Sequence, residues 1–318
     1  MDFFEYCQPF IGSGNTWPDL PLPEQATDCW WRQWFDKVPE TERFNKLRFV
    51  LPQLYIKPHN GARSSDIYKR LVLRGDPITP QDQNMRLYLN DENGLKFSLV
   101  DHSCGVLPVL SFNNLEDFVS VLCCLANRCE PFEIKSSVHS HAIGGLIHWG
   151  LIKDIDRSAR AQLLLLHNAP YSSLPSKLIP GHPSDYEWLD LSHTWRLNHE
   201  IAHIYCRQLV GEMRINLLDE LLADYIGMRA SLGIFSADLF RLGLGLSTEA
   251  QLSNDSRACT YISELNSTDQ KLACKAVIAR SIELEALFKS DLLPHDEMHL
   301  LRYLTNQQLN KVFYAPSQ

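Results

Sequence analysis

The spacing of apolar and polar positions changes character along the chain, and each change predicts a different kind of element. In the first 60 residues the prolines Pro18, Pro21 and Pro23 precede a dense aromatic run, Cys29-Trp30-Trp31-Arg32-Gln33-Trp34-Phe35. Prolines at that density break long elements, so an irregular wrap with one short aromatic helix is expected, its indoles packed into a core. From Lys46 to Phe112 short β-like runs follow: Leu47 to Tyr55, Met85 to Leu89, Phe97 to Val100 and Val106 to Leu110. Asn90-Asp91-Glu92-Asn93-Gly94 between them reads as a hairpin turn. Asn114 then caps an amphipathic helix that has Asp117 at its third position and Phe118, Val121, Leu122 and Leu125 on its apolar face. Phe132 to His141 alternates like a strand, and Gly144-Gly145 separates it from an apolar run ending at Trp149-Gly150. Gln162 to Leu166 reads as a buried strand.

Between Pro170 and Pro183 the chain is all breakers, and beyond them helical periodicity continues to the end. The pattern predicts an α+β protein with a mixed β/α region over residues 1–184 and a mainly helical region over 185–318. Composition narrows the function classes. The 318 residues are 45% hydrophobic and carry a formal net charge of −8, with no run of Lys and Arg, so no nucleic-acid partner is expected. No apolar stretch reaches the length of a membrane span and no secretory leader is visible, so no membrane partner is expected either. Nine cysteines, an odd number in a chain too long to need covalent staples, read as reduced thiols of a cytoplasmic protein. The number of subunits is left open.

One segment carries chemistry: Asn198-His199-Glu200-Ile201-Ala202-His203-Ile204-Tyr205, downstream of Ser192 as an expected helix N-cap. On a helix, His199 and His203 stand one turn apart, close enough for two imidazole nitrogens to reach one ion. Glu200 lies about 100° further around the helix, beside that ion without binding it, where a general base for a metal-bound water belongs. Gly211 is placed to end this helix, and Asn216 to cap the next with Asp219 at its third position. If the two helices form an antiparallel hairpin, Glu220 returns to His203 as a third, carboxylate ligand. Asp224, one turn on, can then accept the other ring N–H of a ligand histidine.

The pattern His199-Glu200-x-x-His203 followed by Glu220-x-x-x-Asp224 resembles the gluzincin branch of zinc metallopeptidases, over residues 192–228. The resemblance implies zinc held by His199, His203 and Glu220, Glu200 as general base, Asp224 behind a ligand, and a peptide or protein substrate. Two histidines and a carboxylate also suit Fe(II), but the helical placement favours Zn2+.

Other residues are weaker candidates. Tyr171, His295 and His299 are candidate hydrogen-bond donors to a developing oxyanion, as are Arg196 and Arg214. His139 and His141 would share one face of the strand Phe132 to His141; they read as ordinary, partly exposed histidines near a turn in preference to an edge strand at the active-site cleft that binds an extended peptide. Pro294-His295-Asp296-Glu297-Met298-His299 imitates the zinc motif with no second acidic pair after it, and reads as a decoy. The function expected is zinc-dependent hydrolysis of a peptide or amide bond. The alternative is a non-catalytic binding or regulatory protein in which zinc, closed by a fourth side chain such as His295 or His299, ties two helices together.

Overall fold

A four-stranded sheet and a set of helices make up the protein, 51% helix and 11% strand, an α+β class. The computed structural model describes residues 1–14, 17–135, 138–253 and 256–316. Two compact units divide it: Pro21–Asn168, and Met1–Leu20 together with Ala169–Gln318. The run of breakers and the onset of helical periodicity predict a single division at 184/185. The units instead change at 20/21 and 168/169, because the segment after Pro170 and the N-terminal segment both bond to the helices.

The unit Pro21–Asn168 holds β1 (Lys96–His102), β2 (Gly105–Phe112), β3 (Ser140–Leu146) and β4 (Ala161–His167) in the order β1-β2-β4-β3. β1 and β2 form an antiparallel hairpin closing at His102 and Gly105, β2 runs parallel to β4, and β3 is an antiparallel edge strand. β4 is central, and its unbroken run Leu163-Leu164-Leu165-Leu166 is buried throughout, as a strand covered on both faces requires. The crossover from β2 uses the helix Leu115–Ala126. Asn114 caps it by accepting from Asp117 N–H at 3.0 Å, and Asp117 in turn accepts the N–H groups of Asn90 and Asp91. The aromatic helix is Ala26–Lys37, with Trp31 and Phe35 in the core. His148 meets Trp30 and Trp31 edge-on and caps a short helix by accepting from Leu151 N–H. Burial lowers its pKa to about 4, so it is neutral and suited to accepting.

Several expected strands take other forms. Leu47 to Tyr55 is helical: an α-helix over Arg43–Val50 followed by a 3-10 turn over Pro52–Tyr55. Leu47, Leu51 and Leu54 recur at helical spacing and are all buried, and the intervening Arg48 is buried too, donating to Leu87 O. A buried cation among apolar residues hid the period. Met85 to Leu89 makes only an isolated bridge, Arg86 with Ile56. The Asn90–Gly94 turn therefore docks on a helix cap instead of joining two strands. In Phe132 to His141 the strand begins only at Ser140; Ser136 and Ser137 lie outside the described residues. Gly144-Gly145 sits inside β3, at its register irregularity with β4.

The helical unit is built from Asp185–Tyr205, Leu217–Leu232, Ala237–Leu244, Ser267–Lys289 and Glu297–Thr305. The first of these begins at Ser184, whose hydroxyl and the Glu187 carboxylate form a reciprocal capping box. Ser192, expected as the cap, is buried inside the helix and its Oγ accepts from Tyr171 N–H at 2.9 Å. The N-terminal turn Phe3–Tyr6 anchors the start of the Leu217–Leu232 helix: Tyr6 OH accepts from Leu217 N–H at 2.9 Å and donates to Tyr261 O at 3.1 Å. Among the described residues no helix is long and apolar enough to cross a membrane.

Candidate metal centre

His199 and His203 project from the last two turns of Asp185–Tyr205 before the backbone loosens into a π-turn, Cys206–Val210. Gly211, with φ +86°, ends that turn in the left-handed region glycine tolerates. Asn216 caps the returning helix by accepting from Leu218 and Asp219 N–H. The two helices run antiparallel, as a ladder of contacts shows: His203 faces Asp219, His199 faces Asp224, and Trp195 faces Gly227. Gly227 sets the close approach, since a Cβ there would stand 2.5 Å from Trp195 Cδ1 and 2.6 Å from its carbonyl oxygen.

Three side chains converge between the helices. His199 Nε2 and His203 Nε2 are 3.1 Å apart, Glu220 Oε1 is 3.4 Å from His203 Nε2, and Glu220 Oε2 is 3.6 Å from His199 Nε2. Ligands at about 2.05 Å from a tetrahedral ion would be separated by roughly 3.3 Å, so the three donors have the spacing of one coordination face. All three are buried, and among the described residues they are the one His, Cys, Asp or Glu group with this arrangement.

The far sides of the imidazoles are fixed. His199 Nδ1 lies 2.9 Å from Asp224 Oδ1, and His203 Nδ1 lies 3.0 Å from Asp219 Oδ1. Each carboxylate accepts the Nδ1–H and leaves Nε2 as the lone-pair nitrogen. Two lone pairs facing each other at 3.1 Å repel unless a cation or a proton sits between them. Charge leads to the same conclusion. Asp219, Glu220 and Asp224 are each at most 2% exposed, and Arg257 is the guanidinium bonded among them. Three buried carboxylates against one guanidinium leave a deficit that one divalent cation would balance. Glu220 Oε2 has no hydrogen-bond donor: Arg257 Nη2 is 3.2 Å away, at ion-pair distance but not aligned to donate. The residues present thus fit a bound metal ion.

Without an ion, titration follows from this crowding. Burial opposes the charged form of His203, but Asp219 and Glu220 outweigh it and hold the imidazole protonated well above its usual range. Burial pushes Glu220 and Asp224 up, yet His199 and Arg257 pull both carboxylates below their usual range. Burial and the neighbouring Asp224 carboxylate raise Tyr171, so its hydroxyl stays protonated.

The expected ligands His199, His203 and Glu220 come together, with Asp224 bonded to His199 as the helix spacing required. Glu200 is half-buried on the same helix, directly after His199. Tyr171 stands elsewhere than expected. Its hydroxyl is 3.0 Å from His199 Nδ1, donates to Asp224 Oδ1 and accepts from Arg257 Nη1 at 3.1 Å, while its ring stacks on Trp195 at 4.3 Å. It buttresses the back of the imidazole and is no oxyanion donor. His295 and His299 are exposed and pair locally with Asp291 and Asp296. Their place at an exposed helix start makes them neither donors at the centre nor a fourth ligand. Arg196 donates to Ala169 O, Arg214 to Pro9 O, and His139 faces His167, Nδ1 to Nδ1 at 2.9 Å.

Two members of the centre escaped sequence reasoning. From its place after Asn216, Asp219 is recognisable only as a helix-cap residue, which it also is, accepting Ile215 N–H through Oδ2 at 3.1 Å. Its position directly before Glu220, facing the other histidine, was the available signal. Arg257 lies in a loop far along the chain from Asp224 and carries no periodic signal.

The centre belongs to the class of buried sites made by two histidines and one carboxylate on a helical hairpin. The chain itself is a member of a family of unknown function, DUF7005, whose model matches residues 5–163 and 158–313. No curated protein and no solved structure matches it.

Proposed function

We propose that the protein is a zinc-dependent hydrolase of the gluzincin type, cleaving a peptide or amide bond. The observation that carries this reading is the convergence of two Nε2 atoms, with both tautomers fixed by carboxylates, on Glu220, with the half-buried Glu200 directly after His199 on the helix. His199, His203 and Glu220 would hold the ion. A bound Zn2+ supplies Lewis acidity, polarising a carbonyl and making a water acidic near neutral pH. Glu200 follows a ligand on the helix and takes the proton of the attacking water, later delivering it to the leaving nitrogen. Asp224, Tyr171 and Arg257 keep His199 from rotating, and Asp219 does the same for His203.

Zinc is favoured over Fe(II) by the His-Glu-x-x-His helix, and metal analysis of the purified protein distinguishes them. The catalytic reading is favoured over a closed structural site because, among the described residues, no fourth His, Cys, Asp or Glu joins the three that converge. A peptide or protein substrate follows from the gluzincin resemblance, and a cytoplasmic setting from nine free cysteines, seven of them buried. The test is Glu200→Gln. Zinc content should match the unmodified protein while hydrolysis of a peptide library falls by roughly 100-fold or more, the scale of a lost general base. Undiminished hydrolysis would sink the proposal.

A further inference from the structure

Arg257 is the cation of the centre that arrives from neither site helix, and its place is fixed from several sides. Nη1 donates to Ser172 Oγ at 2.8 Å and to Tyr171 OH at 3.1 Å, while Nη2 bonds Asp224 Oδ2. Its guanidinium carbon also stands 5.5 Å from the Tyr171 ring centroid. None of these contacts involves Glu220, so the guanidinium would keep its position whatever Glu220 did. From that fixed position Nη2 is 3.2 Å from Glu220 Oε2.

Glu220 presents both oxygens to the histidines, Oε1 at 3.4 Å from His203 Nε2 and Oε2 at 3.6 Å from His199 Nε2. A carboxylate so placed could take an ion through one oxygen or both. The two are not equivalent, because Oε2 stands at ion-pair distance from a buried guanidinium, which attracts its negative charge, and the ion pair of Oε1 is with His203. Arg257 also offsets one of three buried negative charges, so that a divalent cation leaves the centre close to neutral. An uncompensated third carboxylate would draw both Glu220 oxygens onto the ion.

We propose that Arg257 is a positioning residue that claims one oxygen of Glu220, restricting that carboxylate to single-oxygen ligation and keeping a coordination position open. This rests on the reading of His199, His203 and Glu220 as metal ligands. It also assigns a cause to what separates a catalytic from a closed site, the vacant position. An arginine suits the task better than a lysine, because a planar fork can hold Asp224 and Ser172 while still facing Glu220.

The experiment uses Co2+ as a visible probe in the full chain, with Arg257→Met and Arg257→Lys beside the unmodified protein. The unmodified protein should show the intense d–d bands of a four-coordinate ion. Arg257→Met should show a several-fold drop in molar absorptivity and a shift to shorter wavelength as the second Glu220 oxygen joins, and Arg257→Lys should fall between. Should either variant fail to fold, X-ray absorption of the unmodified Zn2+-loaded chain decides alone: one carboxylate oxygen at bonding distance supports the proposal, and two overturn it. Unchanged Co2+ bands in a folded Arg257→Met overturn it while leaving the metal reading intact. Failure of the unmodified chain to take up Co2+ or Zn2+ overturns both.

Discussion

At the scale of single residues, the centre is governed by which ring nitrogen carries the proton. Asp219 and Asp224 each accept an Nδ1–H, at 3.0 and 2.9 Å, and thereby point two Nε2 lone pairs at one place. Replacing Asp219 by Asn keeps the size and removes the charge, so Zn2+ affinity should fall roughly 10- to 100-fold with no ligand lost. Competition against a chelator of known affinity measures this, and an unchanged Kd would show that the pair has no part in holding the ion. Protonation provides a second test. A histidine whose folded-state pKa is raised, as that of His203 is, stabilises the metal-free fold below its unfolded value, and this contribution is lost as pH rises through the raised one. The ion needs the same nitrogen deprotonated, so protons and metal compete. The rise in Tm on adding Zn2+ should therefore be larger at about pH 8 than at about pH 6. A pH-independent rise would remove His203 from the ligand set.

At the scale of elements, the hairpin of Asp185–Tyr205 and Leu217–Leu232 brings together two four-residue spacings, His199 with His203 and Glu220 with Asp224, that lie on separate helices. The N-cap of its first helix lies at Ser184 and not at Ser192, whereas its turn was legible, since Gly211 and the Asn216 cap follow from residue type and spacing. How closely the helices approach was not, because that depends on Gly227 lying against the Trp195 carbonyl. Gly227→Ala would place a methyl group within 2.6 Å of that backbone oxygen. The helices must part, at a cost of roughly 1–3 kcal/mol. Asp224 then loses the Trp195 Nε1–H, now 3.1 Å away, and its register on His199. Urea denaturation and zinc titration should both register the change, and a variant with normal stability and affinity would show that the spacing is not set there. The failed strand over Leu47 to Tyr55 has a related cause. Arg48 looks like a surface position in sequence, and only the fold supplies Leu87 O and Glu92 as its partners.

For the whole molecule, the helical unit is discontinuous, since its first 20 residues are separated from the rest by the entire sheet unit. Tyr6 links the two parts by bonding Leu217 N–H at the start of the helix that carries Asp219 and Glu220. Tyr6→Phe leaves that buried donor without a partner, at a cost of roughly 1–3 kcal/mol. Zn2+ affinity should fall as well, although Tyr6 contacts no ligand; thermal unfolding and zinc titration of this one variant check both. Equal affinity in a destabilised variant would confine the N-terminal segment to holding the fold.

Residue type and helical period alone determined the α+β class, the buried β4 strand, the aromatic helix, the Asn114 and Asn216 caps, and the four-residue spacings that pair His199 with His203 and Glu220 with Asp224. These are legible because hydrogen bonding within an element and the alternation of buried and exposed faces are local properties. Tertiary structure alone decided that Tyr171 stands behind His199, that His295 and His299 remain in solvent, that Asp219 holds the second imidazole, and that Arg257 reaches Glu220. Each depends on which loop packs against which helix, and that is settled by burial and charge compensation summed over distant segments, which no window of neighbouring residues contains.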